Sequence, residues 1–141
     1  MASIHREISI EVAPETVWDA LRDIGALHRR LVRGFVTDTV LEDGARIVTF
    51  ANGMVARELI VDCDDVARRL VWSAVGGRLL HHNASAQVFP DGPGRSRFVW
   101  IADLLPNDMA PAIAGMIDQG IAAVKQTLET KEARETQGAA P

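Results

Sequence analysis

Polar and apolar residues alternate from residue 4 to residue 12: Ile4, Ile8, Ile10 and Val12 share one parity, His5, Glu7, Ser9 and Glu11 the other. A period of two with one apolar side predicts a half-buried strand, in which Arg6 is the exception on the apolar side. Pro14 then opens a helix with Glu15 in its first turn, an apolar stripe of Val17, Trp18, Leu21 and Ile24, and a stop at Gly25. A second short helix is predicted over residues 26–31, ending before Gly34. From Phe35 the period returns to two. Strands are predicted over residues 35–41, 46–51, 54–63, 69–75, 80–89 and 96–104, with turns at Asp43-Gly44, Asn52-Gly53, Asp64-Asp65, Gly76-Gly77 and residues 90–94.

The last segment changes period again. Met109, Ile113, Met116, Ile117, Ile121, Val124 and Leu128 recur at gaps of three and four, which predicts a long helix over residues 108–131 with Pro111 in its first turn. Ala112, Gly115, Gly120 and Ala123 interrupt this helix. Each glycine costs about 1 kcal/mol against alanine in a helix interior. Two of them imply close approach by another backbone or by a ligand. Two readings stay open: a plain amphipathic helix lying on a sheet, or a helix that lids a cavity. The element order βααββββββα, with hairpin-linked strands and helices gathered on one side, is α+β architecture. It predicts one domain over residues 1–131, followed by a polar, disordered tail over residues 132–141.

Composition narrows the function classes. The 141 residues carry a net charge of −4 with no basic block, so a nucleic-acid partner is not supported. The lone Cys63 excludes an internal disulfide or a zinc-finger ligand set and fits a reducing cytosol. No apolar signal core and no run near the ~20 apolar residues of a membrane span is present, so a cytoplasmic protein without membrane insertion is expected. There is no Gly-rich phosphate loop, no nucleophile elbow and no His or acidic cluster with metal spacing; neither a metal nor a cofactor is expected.

Several short motifs in fixed order carry a family resemblance. They are Ala13-Pro14-Glu15-Thr16-Val17-Trp18, Gly25-Ala26-Leu27-His28, Arg57-Glu58-Leu59, Asp64-Asp65 with Arg68-Arg69-Leu70, Gly76-Gly77, and Val99-Trp100 before the long helix. Over most of its length the chain resembles the START-like helix-grip superfamily (SRPBCC), and within it the polyketide cyclase/dehydrase group. The resemblance implies a curved seven-stranded antiparallel sheet wrapped around the C-terminal helix, with two short helices between strands 1 and 2. It also implies an apolar cavity between sheet and helix; a small apolar or aromatic molecule is the expected partner, and the chain is expected as a monomer or homodimer. Small residues at and around Gly120 would leave room for that ligand.

Candidate site residues follow from parity and from this resemblance. Glu58 shares a strand face with Met54, Ala56 and Ile60, where partial desolvation raises a carboxyl pKa and suits proton transfer. The alternative is a glutamate paired with one of the thirteen arginines at a sheet edge. His81 and His82 are adjacent, so they face opposite sides of a strand. Matching to the family favours His81, Asn83, Ser85 and Gln87 inward; the competing register puts these four in solvent. Trp72 with Ala74, Trp100, Met116 and Gly120 complete the expected cavity lining, the tryptophans serving either as cavity wall or as plain core. Two function classes remain: a binding module with Glu58, His81, Asn83 and Ser85 as polar anchors, or a cyclase, aromatase or dehydratase in which Glu58 or His81 moves protons.

Overall fold

The computed structural model describes residues 1–139, with side chains through Glu132. The chain runs β1 (Ala2–Ile10), α1 (Pro14–Arg22), a 3₁₀ turn (Ile24–Ala26), a π turn (Leu27–Leu31), β2 (Val36–Glu42) and β3 (Ala45–Phe50). It continues through β4 (Val55–Asp64), β5 (Arg69–Val75), β6 (His81–Pro90), β7 (Ser96–Leu105), a 3₁₀ turn (Asn107–Met109) and α2 (Ala110–Ala139). The second short helix of the sequence reading is thus a single π turn. The helix expected to end at 131 runs through Ala139, so the backbone of the expected tail is helical up to there, and residues 140–141 lie outside the described residues.

The seven strands form one antiparallel sheet in the order β1-β7-β6-β5-β4-β3-β2, so the first strand pairs with the last and the hairpins follow in sequence. Register shifts at Val36/Asp38 in β2 and Ile60/Asp62 in β4 bend those strands. This is the helix-grip fold. The buried stripe of α2, Ile117, Ile121, Val124 and Leu128, joins Ile4 and Ile10 of β1 in the core.

Polar contacts then fix where each helix sits. Arg6, the exception in the apolar parity of β1, reaches α2 and donates from Nε to Asp118 at 2.7 Å. Lys125 donates to the Ser9 carbonyl at 2.8 Å, and Glu129 accepts the Glu11 backbone N–H at 2.9 Å. On the other side, Trp18 and Arg22 of α1 both donate to Asp65 at 2.9 Å, which holds its carboxyl below the usual carboxylate range. Asp64 accepts the backbone N–H groups of Val66 and Ala67 and so shapes the turn that presents Asp65. The Asp64-Asp65 motif is therefore the anchor of α1.

Candidate functional site: a cavity under the C-terminal helix

The sheet, the segment from α1 to the π turn, and the first half of α2 enclose a cavity of about 150 Å³. Leu21, Leu31 and Phe35 form one wall, and Ile113, Met116 and Ile117 of α2 form the roof. The sheet supplies the floor, through Val48, Ala56, Trp72, Ala86 and Phe98 among others. A space of this size lined by apolar side chains accommodates a guest on the order of one benzene ring.

The tryptophans shape the floor. Trp72 and Trp100 meet edge to face, centroids 5.8 Å apart at 65°, a favourable aromatic geometry. Trp100 also explains Gly120. A Cβ added there would lie 2.9 Å from two atoms of the Trp100 ring and 3.2 Å from Phe35. The expectation that Gly120 leaves room for a ligand is therefore corrected: the indole of Trp100 already occupies that room, and Gly120 lets it pack flush against α2. Gly115, by contrast, meets nothing within 4 Å.

One polar row crosses the floor. Arg46 of β3 lies opposite Glu58 of β4, and Glu58 lies opposite Ala74 of β5. Arg46 donates from Nε to Glu58 at 2.8 Å and from Nη1 to the Ile24 carbonyl at 3.3 Å, and its guanidinium lies 5.8 Å from the Trp72 ring centroid. Both partners are buried, at 3% and 8% exposure. Glu58 thus faces the cavity, and it does so as half of an ion pair. Glu58 therefore lines the cavity and pairs with an arginine at once, and the pair sits in the interior rather than at a sheet edge.

The row ends on His82. Pairing of β5 with β6 stops at Trp72↔Ala84, although β5 runs on to Val75. Past that point side chains replace the ladder: the Ser73 hydroxyl donates to the His82 carbonyl, and the Ala74 N–H donates to His82 Nδ1 at 3.0 Å. A backbone N–H there would otherwise lose its strand partner at a cost. Burial first, and the neighbouring His81 second, push the His82 pKa below its ordinary value.

Ala56, Glu58, Trp72, Ala74, Trp100 and Met116 of the expected set line the cavity. His81, Asn83 and Ser85 do not. His82, Ala84, Ala86 and Val88 are the buried parity of β6, whereas His81 is exposed and Asn83, Ser85 and Gln87 lie half-buried on the opposite face. The physical reason is simple: the inward register would have placed four hydrogen-bonding groups in an apolar core and four mainly apolar ones outside. Arg46 and His82 are the functional candidates that sequence reasoning misses. Among the described residues no group of three or more His, Cys, Asp or Glu is placed to hold a metal ion, and no helix is long and apolar enough to cross a membrane.

A family profile described as "Polyketide cyclase / dehydrase and lipid transport" matches residues 1–129. The chain belongs to this family. Solved structures agree on the fold. A di-domain ARO/CYC, BexL, from the BE-7585A biosynthetic pathway superposes with a TM-score of 0.79 at 15% identity, over 92% of this chain and 47% of that one. A START superfamily protein from Mycobacterium smegmatis gives 0.69 at 11% identity, over 92% and 95%. A norcoclaurine synthase from Thalictrum flavum, a point mutant bound to a transition-state analogue, gives 0.67 at 16%, over 93% and 96%. At these identities the likeness shows the fold alone, the helix-grip architecture. No curated protein matches.

Proposed function

We propose that the protein binds a small apolar or aromatic molecule in the cavity between the sheet and α2. The observation that carries this reading is an apolar space of about 150 Å³ whose two buried charges, Arg46 and Glu58, neutralise each other. Such a wall attracts a guest through apolar contact and aromatic edges rather than through net charge. The same reading has the protein working in the cytosol as a monomer or homodimer. Calorimetric titration with α-methylstyrene, a one-ring hydrocarbon of matching size, tests it. Saturable binding at one site, lost when Met116→Trp fills the roof, is expected. A wild-type protein that takes up no one-ring aromatic at millimolar concentration overturns it.

A second reading, turnover of a polyketide-like substrate, draws support from the family description and from BexL and norcoclaurine synthase as fold neighbours. Binding is the better supported of the two. Of the two proton carriers the sequence offered for turnover, Glu58 is engaged by Arg46 and His81 is exposed outside the cavity, and the one cavity histidine, His82, spends Nδ1 on the Ala74 N–H. The cavity volume also lies below the roughly 300 Å³ at which pockets begin to take drug-sized molecules.

A further inference from the structure

We infer that His82 is the polar anchor of the cavity, and that the guest is a neutral aromatic of about one ring bearing a hydrogen-bond acceptor oxygen, such as an aryl ketone. This rests on the binding reading above and adds the chemical class of the guest. The argument starts from the ring's tautomer. Ala74 N–H donates to Nδ1 at 3.0 Å, so Nδ1 must be unprotonated, and a neutral ring then carries its proton on Nε2. That N–H makes no hydrogen bond among the described residues, and because no buried side-chain nitrogen there is left without a partner, it keeps accessible surface on a residue that lines the cavity and is 8% exposed overall. The ring cannot turn to hide it without leaving the Ala74 N–H unpaired. His82 therefore presents one donor in a fixed direction.

The rest of the row selects against charge. Arg46 and Glu58 cancel, and Ala74, between Glu58 and His82, lines the cavity with no more than a methyl group. A guest whose ring lies against Trp72 and whose oxygen points across Ala74 would complete the one open donor of His82. An anion placed there would meet the Glu58 carboxylate as well, with no net positive charge to receive it.

The test is a binding cycle with two probes of nearly equal shape, acetophenone and α-methylstyrene, which differ by a carbonyl oxygen in place of a methylene. Their affinity ratio is compared across variants, so that their different solubilities cancel. His82→Asn keeps an oxygen that can accept from Ala74 N–H and removes the ring's far donor; His82→Gln keeps a donor at the far position. The ratio is expected to shift against acetophenone by about 3- to 10-fold in His82→Asn, and to stay within about twofold of wild type in His82→Gln. In the wild-type protein, the Nε2–H resonance of His82 should move on adding acetophenone and stay in place with α-methylstyrene, a readout that needs no variant to fold. Benzoate should bind more weakly than acetophenone. Binding of both neutral probes with an unchanged ratio in His82→Asn, or an equal loss in His82→Gln, overturns the assignment to His82 and leaves the cavity reading standing. Tighter binding of benzoate overturns the neutral class. No binding of either neutral probe overturns both the cavity reading and this inference.

Discussion

The two ends of the polar row solve the problem of a buried polar group in opposite ways. At the β3–β4 end, Arg46 and Glu58 are direct cross-strand partners within an intact ladder, and two full charges face one another at 2.8 Å. At the β5–β6 end the ladder has stopped, and a neutral ring spans the gap from Ala74. The ion pair consumes its own chemistry: each charge exists to satisfy the other. The histidine spends one nitrogen on the backbone and leaves the second available. The difference teaches where function sits in such a cavity: the more highly charged group is the structural one, and the neutral group at a break in the ladder is the one equipped to meet a guest.

The largest expected effect falls on the pair. Glu58→Ala leaves the Arg46 guanidinium buried without its carboxylate, and should destabilise the fold by about 3–5 kcal/mol. Replacing both, Arg46→Met with Glu58→Leu, should return stability to within about 1 kcal/mol of wild type or exceed it. Urea unfolding of the single and double variants checks this. A loss below about 1 kcal/mol in Glu58→Ala would mean that water reaches the pair and that the two ends of the row do not differ as described.

Next in size is Gly120, which supports the pair's side of the floor through Trp100 and Trp72. Leucine there gains about 1 kcal/mol of helix propensity over glycine. It must also displace an indole whose atoms lie 2.9 Å from the new Cβ, and Phe35 at 3.2 Å. Overpacking of about 1–3 kcal/mol or more should win, giving a net loss of stability. A variant as stable as wild type would show that Trp100 swings aside freely and that this part of the floor is soft.

A pH series separates the neutral end from the charged one. Burial lowers the His82 pKa from the ordinary 6.5, so the unfolded chain takes up a proton at a higher pH than the native one does. Stability contributed by the neutral ring is therefore complete above the unfolded value. It is lost as pH falls from the unfolded value of 6.5 towards the lower native value, and is level below that. Urea unfolding of wild type and His82→Asn between pH 7.5 and 5 should show a steeper fall in wild type. Parallel curves would indicate that His82 is not held in the neutral form by its surroundings.

The order and bounds of the strands are legible because turn signals separate them and because β1 and β6 alternate throughout, although β5 buries Leu70, Val71 and Trp72 in succession. Even Arg6, the one break in the first strand, has a physical reason in Asp118 of α2. The pairing of Arg46 with Glu58 hides in a turn. Asn52-Gly53 read as a two-residue hairpin would set Arg46 opposite Leu59. The observed turn closes with Phe50 N–H on the Met54 carbonyl at 2.8 Å and Gly53 at φ 89°, a three-residue loop that shifts the register by one. On β6 the apolar parity is weak, His82 among two alanines and a valine, so a family match can outweigh it. Simple alternation, which keeps Asn83, Ser85 and Gln87 off the core face, is the better guide there. The role of Gly120 is invisible in sequence, since only the fold brings the Trp100 ring against it.

The smallest expected effect belongs to that opposite face of β6. If His81, Asn83 and Ser85 lay inside, truncating them would open or dry the cavity and change the affinity for acetophenone by an amount typical of a lost buried hydrogen bond, about 1–3 kcal/mol. His81 is exposed and the other two are half-buried on the face turned away from α2. His81→Ala and Ser85→Ala should therefore each leave both stability and affinity within about 0.5 kcal/mol of wild type, the range of an ordinary surface change. His81→Ala carries one further expectation. Burial first and the neighbouring His81 second hold down the pKa of His82, so removing the His81 ring should raise the native value slightly and narrow from below the pH range over which the His82-dependent stability is lost, its upper edge staying at the unfolded value. A variant at His81 or Ser85 that weakens acetophenone binding as much as His82→Asn does would put the wrong face of β6 against the cavity, and with it the contrast between the two ends of the row.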